Sequence, residues 1–562
     1  MENRSDGFVF FIGKLCRSVT NVSGPRIVYE RMTAAPGTGR FGMEGSMNEF
    51  SSTIREILVK ASEAYGSQDA VRYKAKRDKG NGKKETVVEA KTYRQIREDS
   101  ERFSAALESL GEQGSHIAIV GDNSYPWLVS YYGTVNGGSV AVPLDANLPA
   151  EDLCELIDRA DATVLVYDKA RAAVAELSME KCPNLKCRIA TEPGASAADV
   201  PEGTILFEEL IRGQEPGYAH SPQPEDLATI MFTSGTTGKS KGVMLTHRNL
   251  AENATAQDMG FEPGMVLLSV LPIHHAYCLS MDILKGMSLG TVICINDSLL
   301  RVLKNIKLFE PNIILMVPLM IETFAKKLEE TDWLPAPIIK AKVFGKQLHT
   351  ICSGGAYLNP DYLKRFEKYG ITILQGYGMT ECAPVISSNC PNDKKDGSIG
   401  KCMPNCEVKV VDEELWVRGS SVMQGYYKMP EETAETLVDG WLRTGDLGYV
   451  DEDGFLFLTG RKKNLIITPN GENVSPEELE NRIGAARLVQ EILVREKDGV
   501  IEAEIFPDLE YASRKKIKNV EGEIRKIVDA YNDKAPLYKR VVSVKLRDTE
   551  FEKNTTKKIK RF

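Results

Sequence analysis

Hydrophobic positions along the chain change period several times, and each change predicts an element. Ile54, Ile57, Leu58 and Ala61 recur at helical spacing behind Ser51, Ser52 and Thr53, which can cap a helix. A second helix is predicted over 93–110. Residues 116–124 read as a strand and its turn, and 139–145 and 161–168 as further strands, with helical patterns at 126–135 and 151–159 between them. The alternation resumes after Asp226, with apolar strands at 228–233, 265–270, 292–295, 313–317, 350–352 and 372–375. Strands alternating with helices predict a mostly parallel sheet and an α/β class. From about Pro391 short β pieces alternate with Gly and Asp turns (CEVKVVD, ELWVRG, GYVDEDGFLFLTG), which predicts a β-barrel subdomain over about 391–460. Beyond a charged RKK step come a helix at 476–483, strands at 490–495 and 501–505, and a helix near 520–531. The expected organisation is an irregular extension over 1–45, a large domain over 46–463 and a small α+β domain over 464–562.

Composition narrows the function classes. At roughly 150 residues per domain, 562 residues suggest three or four units. Lys plus Arg is 71 and Asp plus Glu is 79, a net charge of −8. That field favours neither nucleic acid nor an anionic membrane surface, so a polyanionic substrate needs local cations. No run of about 18 apolar residues predicts a membrane span. FVFFIG (8–13) lacks a clear cleavage site and reads as a poor signal peptide, and Met43 and Met47 are alternative starts. Eleven scattered cysteines without a CxxC pair predict a reduced, cytoplasmic chain with free thiols. Cys382, Cys390, Cys402 and Cys406 fall in one stretch but lack the tight ligand pair of a structural zinc site, and the six histidines lack HExxH spacing.

Four segments carry chemistry. In TIMFTSGTTGKSKGVMLTHRNL (229–250) a strand ends at Thr233, and the next nine residues hold three glycines, two threonines, two serines and two lysines. Glycines let backbone N–H groups turn toward an anion, and hydroxyls and lysines add donors and charge. This is a phosphate-gripping loop but not a Walker A motif, which needs glycine where Thr233 stands. LQGYGMTECAP (374–384) sets Tyr377 between Gly376 and Gly378, able to stack a base, with Thr380 and Glu381 in reach of a phosphate and a magnesium ion. Upstream, SGGAYL (353–358) is a second glycine turn after a strand. LRTGDLGYVDEDG and TGRKKNLIITPNGENVSPEELE contain Asp446, suited to two vicinal ribose hydroxyls, and Arg461, a donor for the same group. The basic end FEKNTTKKIKRF (551–562) is the fourth. A flexible surface turn is the disfavoured reading of the first segment, because random loops rarely pack donors this densely between two strands. Taken singly, a turn-capping Asp446, a solvated hinge Arg461 and a solvated basic tail account for the third and fourth.

In this order, TSGTTGKSKG, GYGMTE, TGD, GRKK and a terminal lysine segment resemble the adenylate-forming superfamily, from about Ser51 to the C-terminus. The resemblance implies a body of two α/β subdomains and a β-barrel under a small swinging C-terminal domain. It implies that Thr233, Ser234, Gly235, Thr236, Thr237, Gly238, Lys239 and Lys241 surround ATP phosphates. Gly354, Gly355, Ala356, Gln375, Gly376, Tyr377 and Gly378 would form the adenine surface. Thr380 would touch the α-phosphate, Glu381 would hold Mg2+, and Asp446 and Arg461 would contact ribose. Lys463 aligns with the hinge, Gly471 with the pantetheine channel, His275 with the carboxylate site, and Lys558 with the catalytic lysine. Lys557 replaces the glycine usual before that lysine; Lys558 directly precedes Ile559, as the pattern requires.

The implied reaction joins a carboxylic acid to ATP as acyl-AMP, then passes the acyl group to the thiol of CoA. The segments expected to wall the acyl pocket are mostly apolar: Leu279, Met281, Ile283, Leu284, Leu319, Met320, Ile321, Phe324, Val385 and Ile386. Asp282 is the nearby acid. These, with TKKIKR at the end, resemble bacterial long-chain acyl-CoA synthetases. An acyl-AMP ligase loading an acyl carrier protein is the alternative. A nucleotide-binding regulator without catalysis is disfavoured by Thr380, Glu381, Asp446, Arg461 and Lys558 all being present.

Overall fold

The computed structural model describes residues 50–78, 84–192, 194, 196–233, 240–329, 335–468, 471–553 and 559–561. The expectations for 1–45, the loop 234–239 and Lys557 and Lys558 lie outside the described residues.

Two large sheets carry the body. The first orders its strands Gly425–Tyr426, Lys241–Thr246, Leu227–Thr233, Val140–Leu144, His116–Val120, Ala162–Tyr167, Cys187–Ala190 and Thr204–Leu206. All pairings are parallel except the two made by Lys241–Thr246. The second runs Lys401–Cys402, Val385–Ser388, Thr372–Gly378, Thr350–Ser353, Ile313–Met316, Val266–Ser269, Val292–Ile295, Asp69–Asp78 and Lys84–Thr92. Its centre is parallel and both ends are antiparallel. Strands such as Val140–Leu144, Val292–Ile295 and Ile313–Met316 are buried at every position, as parallel strands covered on both faces require.

Helix starts follow local chemistry. Thr92 and Gln95 form a reciprocal capping box on Tyr93–Ser109. Ser124 caps Tyr125–Asn136, with a proline in its first turn. These helices bury Tyr93, Phe103, Tyr131 and Tyr132 completely, in a core continuous with both sheets.

Two features differ from the sequence-based expectation. The long hairpin Asp69–Asp78 with Lys84–Thr92 is absent from it, because charged residues interrupt both strands and hide the period. The β-rich tract is shared out as well. Its strands Cys406–Val411, Glu414–Gly419, Leu437–Val438, Trp441–Val450 and Leu456–Arg461 form a five-stranded antiparallel sheet. Gly425–Tyr426 instead joins the first large sheet, and Lys401–Cys402 the second. The tract therefore clasps both sheets.

The C-terminal part holds the antiparallel pair Val489–Lys497 and Val500–Pro507, with Ser543–Leu546 added in parallel. Helices Pro476–Gly484 and Val520–Asn532 accompany them. Their buried residues, from Ile466 to Val541, form a core sharing no member with the main one. Among the described residues no helix is long and apolar enough to cross a membrane. All ten described cysteines are free thiols.

Candidate active site

The strands bring the motif segments together in two short side-chain chains. In the first, Tyr377 Oη donates to Asp446 Oδ2 at 2.7 Å, and Arg461 Nε lies 2.9 Å from Asp446 Oδ1. Backbone register sets this up, since Asp446 stands opposite Arg461 on the hairpin Trp441–Val450 with Leu456–Arg461. Asp446 is 4% exposed and Arg461 is exposed, so the pair spans from interior to surface. Burial, and then the Asp446 charge, push the Tyr377 phenol well above its ordinary range, so it stays a donor.

In the second chain Tyr426 Oη donates to Glu381 Oε1 at 2.9 Å, and Lys241 Nζ sits 4.6 Å from the Tyr426 ring centroid. Thr233 and Lys241 face each other across the antiparallel pair that brackets the phosphate-loop segment. Burial raises the Glu381 carboxyl; Tyr426 and the Lys241 and Arg461 charges oppose that shift. Thr380, Glu381 and Cys382 form one 3-10 turn. Asn253, fully buried on the helix His247–Thr255, clamps its far side: Nδ2 donates to Cys382 O (3.3 Å), Val385 O (2.8 Å) and Ser421 Oγ (2.8 Å), while Oδ1 accepts from Val385 N at 3.2 Å. Ser280 Oγ also donates to Ala383 O at 2.8 Å.

A cleft of about 70 Å³ adjoins the first chain, with Tyr377 in its lining. Gly354, Gly355, Gly376, Tyr377 and Gly378 form one side, and Met259, Tyr277, Met281, Cys352, Leu374, Pro384, Val385 and Ser388 form the rest. Gly378 is dictated by close approach, because a Cβ there would lie 1.9 Å from Pro384 O. Gly355 is dictated by backbone conformation, with φ +87°. Ala356 follows it and is exposed. Gln375 leaves its side-chain oxygen buried without a hydrogen-bond partner, while its backbone oxygen accepts from Asn389 N at 2.9 Å.

Of the ten apolar residues expected to wall an acyl pocket, Met281 and Val385 line this cleft. Leu279, Ile283, Leu284, Ile321 and Ile386 are fully buried core residues. Phe324 packs against Phe344 with tilted rings, centroids 5.8 Å apart, and Leu319 is 47% exposed. Periodicity cannot separate a pocket-lining face from a packed one when a π-helical turn, Leu279–Leu284, rotates the faces midway. Asp282 lies on that turn, fully buried, with its Oδ2 3.4 Å from Cys278 Sγ. It does not line the cleft.

His275 lies on the loop after Val266–Ser269, which the first sheet holds in place. Asn123 Nδ2 donates to Leu271 O at 2.7 Å, and Ile273 N donates to Asn123 Oδ1 at 2.9 Å. His274 Nε2 stands 3.6 Å from Asp145 Oδ1, and its ring centroid is 4.3 Å from that of His275. Burial pushes the His274 imidazole down to about 3, so it is neutral near pH 7. Lys463 is exposed in the turn Lys462–Asn464, and Gly471 stands at the tip of the hairpin Ile466–Ile467 with Asn473–Val474.

Sequence reasoning missed Tyr426, Asn253 and Met259; Tyr277, in the lining, lies within the segment 275–284 expected to wall the acyl pocket. Tyr426 has no readable signal, since it occupies a two-residue strand too short to show a period. Asn253 was legible only as a polar residue on the buried face of an amphipathic helix.

The AMP-binding enzyme family model matches residues 72–427. Long-chain-fatty-acid–CoA ligase FadD15 of Mycobacterium bovis is 30% identical over 448 residues, covering 69% of this chain and 72% of that protein. Long-chain-fatty-acid–CoA ligase of Salmonella typhimurium is 29% identical over 456 residues, covering 72% and 78%. Among solved structures, the anthranilate CoA ligase AuaEII with anthranoyl-AMP superposes with a TM-score of 0.77 at 23% identity, covering 91% of this chain and 96% of that one. ATP-bound MatB from Rhodopseudomonas palustris gives 0.73 at 25% identity, covering 90% and 97%. With its two α/β sheets, its β clasp and its smaller C-terminal domain, the chain belongs to the AMP-binding enzyme family.

Proposed function

We propose that this chain is an AMP-forming acyl-CoA ligase that activates a fatty carboxylic acid with ATP and transfers it to CoA. The observation that carries the reading is the joining of dispersed motif residues into two chains, Tyr377–Asp446–Arg461 and Lys241–Tyr426–Glu381, the first of which lines one cleft through Tyr377. The long-chain ligase names of the relatives and the apolar lining from Met259, Met281, Leu374 and Val385 favour a fatty acyl group.

In this reading adenine lies against Gly354, Gly355, Ala356 and the 375–378 strand. Asp446 and Arg461 take the ribose hydroxyls, and residues 233–241 hold the phosphates. Thr380 donates to the α-phosphate, and His275 lines the carboxylate site. Both reactants are anionic, so the chain must supply positive charge where they meet; in this reading Lys558 fills that need.

Glu381 fits a divalent cation such as Mg2+. Its donors are hard oxygens, and a cation would compensate a carboxylate that burial disfavours. Among the described residues no group of three or more His, Cys, Asp or Glu side chains is arranged to hold a metal. That suits Mg2+, which uses one or two carboxylates and takes phosphate oxygens and water for the rest. Bound there, the cation would neutralise phosphate charge.

We place the domain boundary near Lys463, supported by the separate core that begins at Ile466. Rotation at Lys463 would exchange Lys558 for the Gly471 hairpin between the two half-reactions. The reading is tested by pyrophosphate release with acids of graded length, with and without CoA. Acyl-CoA formed from long acids supports it. Acyl transfer only to a carrier protein selects the alternative ligase.

A further inference from the structure

Glu381 is held from one direction at two points. Met423 N donates to its backbone oxygen at 2.9 Å, and Tyr426 Oη donates to its carboxylate at 2.9 Å. Both holders belong to the short segment that ends in the strand Gly425–Tyr426, docked on Met244 and Val243 of Lys241–Thr246. Gly425 makes that docking feasible. Its φ is +146°, and a Cβ there would lie 2.7 Å from Thr433 Cγ2. Tyr426 N donates to Thr433 Oγ1 at 2.9 Å, and the side chain is 5% exposed. The phenol is thus fixed by its backbone, its burial and the Lys241 ammonium over its ring.

We propose that Tyr426 is a positioning residue, which fixes the Glu381 carboxylate in the orientation that receives the divalent cation and ties it to the strand leaving the phosphate loop. The inference rests on the reading of Glu381 as the cation's carboxylate. A carboxylate on a long side chain rotates freely about its last bond, and a single buried donor removes that freedom. One oxygen is then anchored by Tyr426 while the carboxylate keeps acceptor capacity for the ion.

Tyr426→Phe removes only the hydroxyl and keeps the ring that packs beneath Lys241. The test measures Mn2+ binding to the full chain by electron paramagnetic resonance, with a non-hydrolysable ATP analogue present. Loss of a group that orients a metal ligand typically weakens metal affinity by about 10- to 100-fold. Tyr426→Phe is expected to weaken Mn2+ binding by that factor with unchanged binding of the metal-free analogue. In pyrophosphate release it should raise the half-saturating Mg2+ concentration without moving the KM for the acid, a split that loosened packing would not give. If Glu381→Gln abolishes Mn2+ binding and Tyr426→Phe binds like the native chain, the positioning role is overturned. If Glu381→Gln also binds normally, the cation reading of Glu381 fails and takes this inference with it.

Discussion

Tyr377 and Asp446, 69 residues apart in sequence, meet through a 2.7 Å hydrogen bond. The strand expected to carry adenine is thereby tied to the one expected to carry ribose, and Arg461 closes the other side of the same carboxylate. Hydrogen bonds to a charged group contribute about 1.5–3 kcal/mol each. Asp446→Asn should therefore raise the KM for ATP by about 10- to 100-fold in a pyrophosphate-release assay. An unchanged KM would remove Asp446 from the nucleotide site.

Lys558→Met should suppress adenylation by about 100- to 1,000-fold, the usual loss for one preorganised charge-stabilising group. Thioester formation from supplied acyl-AMP should persist, because that step starts after the charges have been joined. Equal loss of both half-reactions contradicts the assignment.

Lys463→Pro should stiffen the turn before the C-terminal core. Acyl-AMP should still form while its conversion to thioester slows, as read by quenched-flow separation of the two steps. An unaltered thiol step shows that the chain pivots elsewhere.

Asp282 gives a pH prediction outside the active site. Burial raises its carboxyl to about 7, and the hydrogen bonds from Ser269 and Cys278 only partly offset that. The unfolded chain loses this proton near 3.8, whereas the folded chain keeps it until pH approaches 7, so the group's contribution to stability is full below the unfolded value and falls as pH rises through this window. Asp282→Asn should match the native melting temperature near pH 4 and exceed it by roughly 2–6 °C at pH 8, measured by calorimetry. A variant less stable at pH 8 would contradict the sign.

Much of the parallel framework was legible because buried parallel strands are unbroken apolar runs. His116–Val120, Ile313–Met316 and Thr350–Ser353 fall within a residue or two of their predicted places, the first ahead of its turn. The hairpin Asp69–Asp78 with Lys84–Thr92 was illegible, since Arg72, Lys74, Lys76, Glu85 and Glu89 sit where a period would show. The motif residues Tyr377, Glu381, Asp446 and Arg461 announced themselves by dense Gly, Thr and charge. Tyr426 and Asn253 did not, because they act through partners 45 and about 130 residues away. Local sequence carries a residue's chemistry, while its partner is fixed only by the sheet order.

In the proposed reaction these side chains serve the activation of a carboxylic acid as its adenylate. The most direct measurement incubates the purified full chain with Mg·ATP and acids from short to long chain, without thiol, and follows the products by mass spectrometry. Acyl-AMP and an equal amount of pyrophosphate are expected with long-chain acids, and AMP with acyl-CoA once CoA is added. Intact ATP with every acid, and no adenylate, would contradict the proposed reaction.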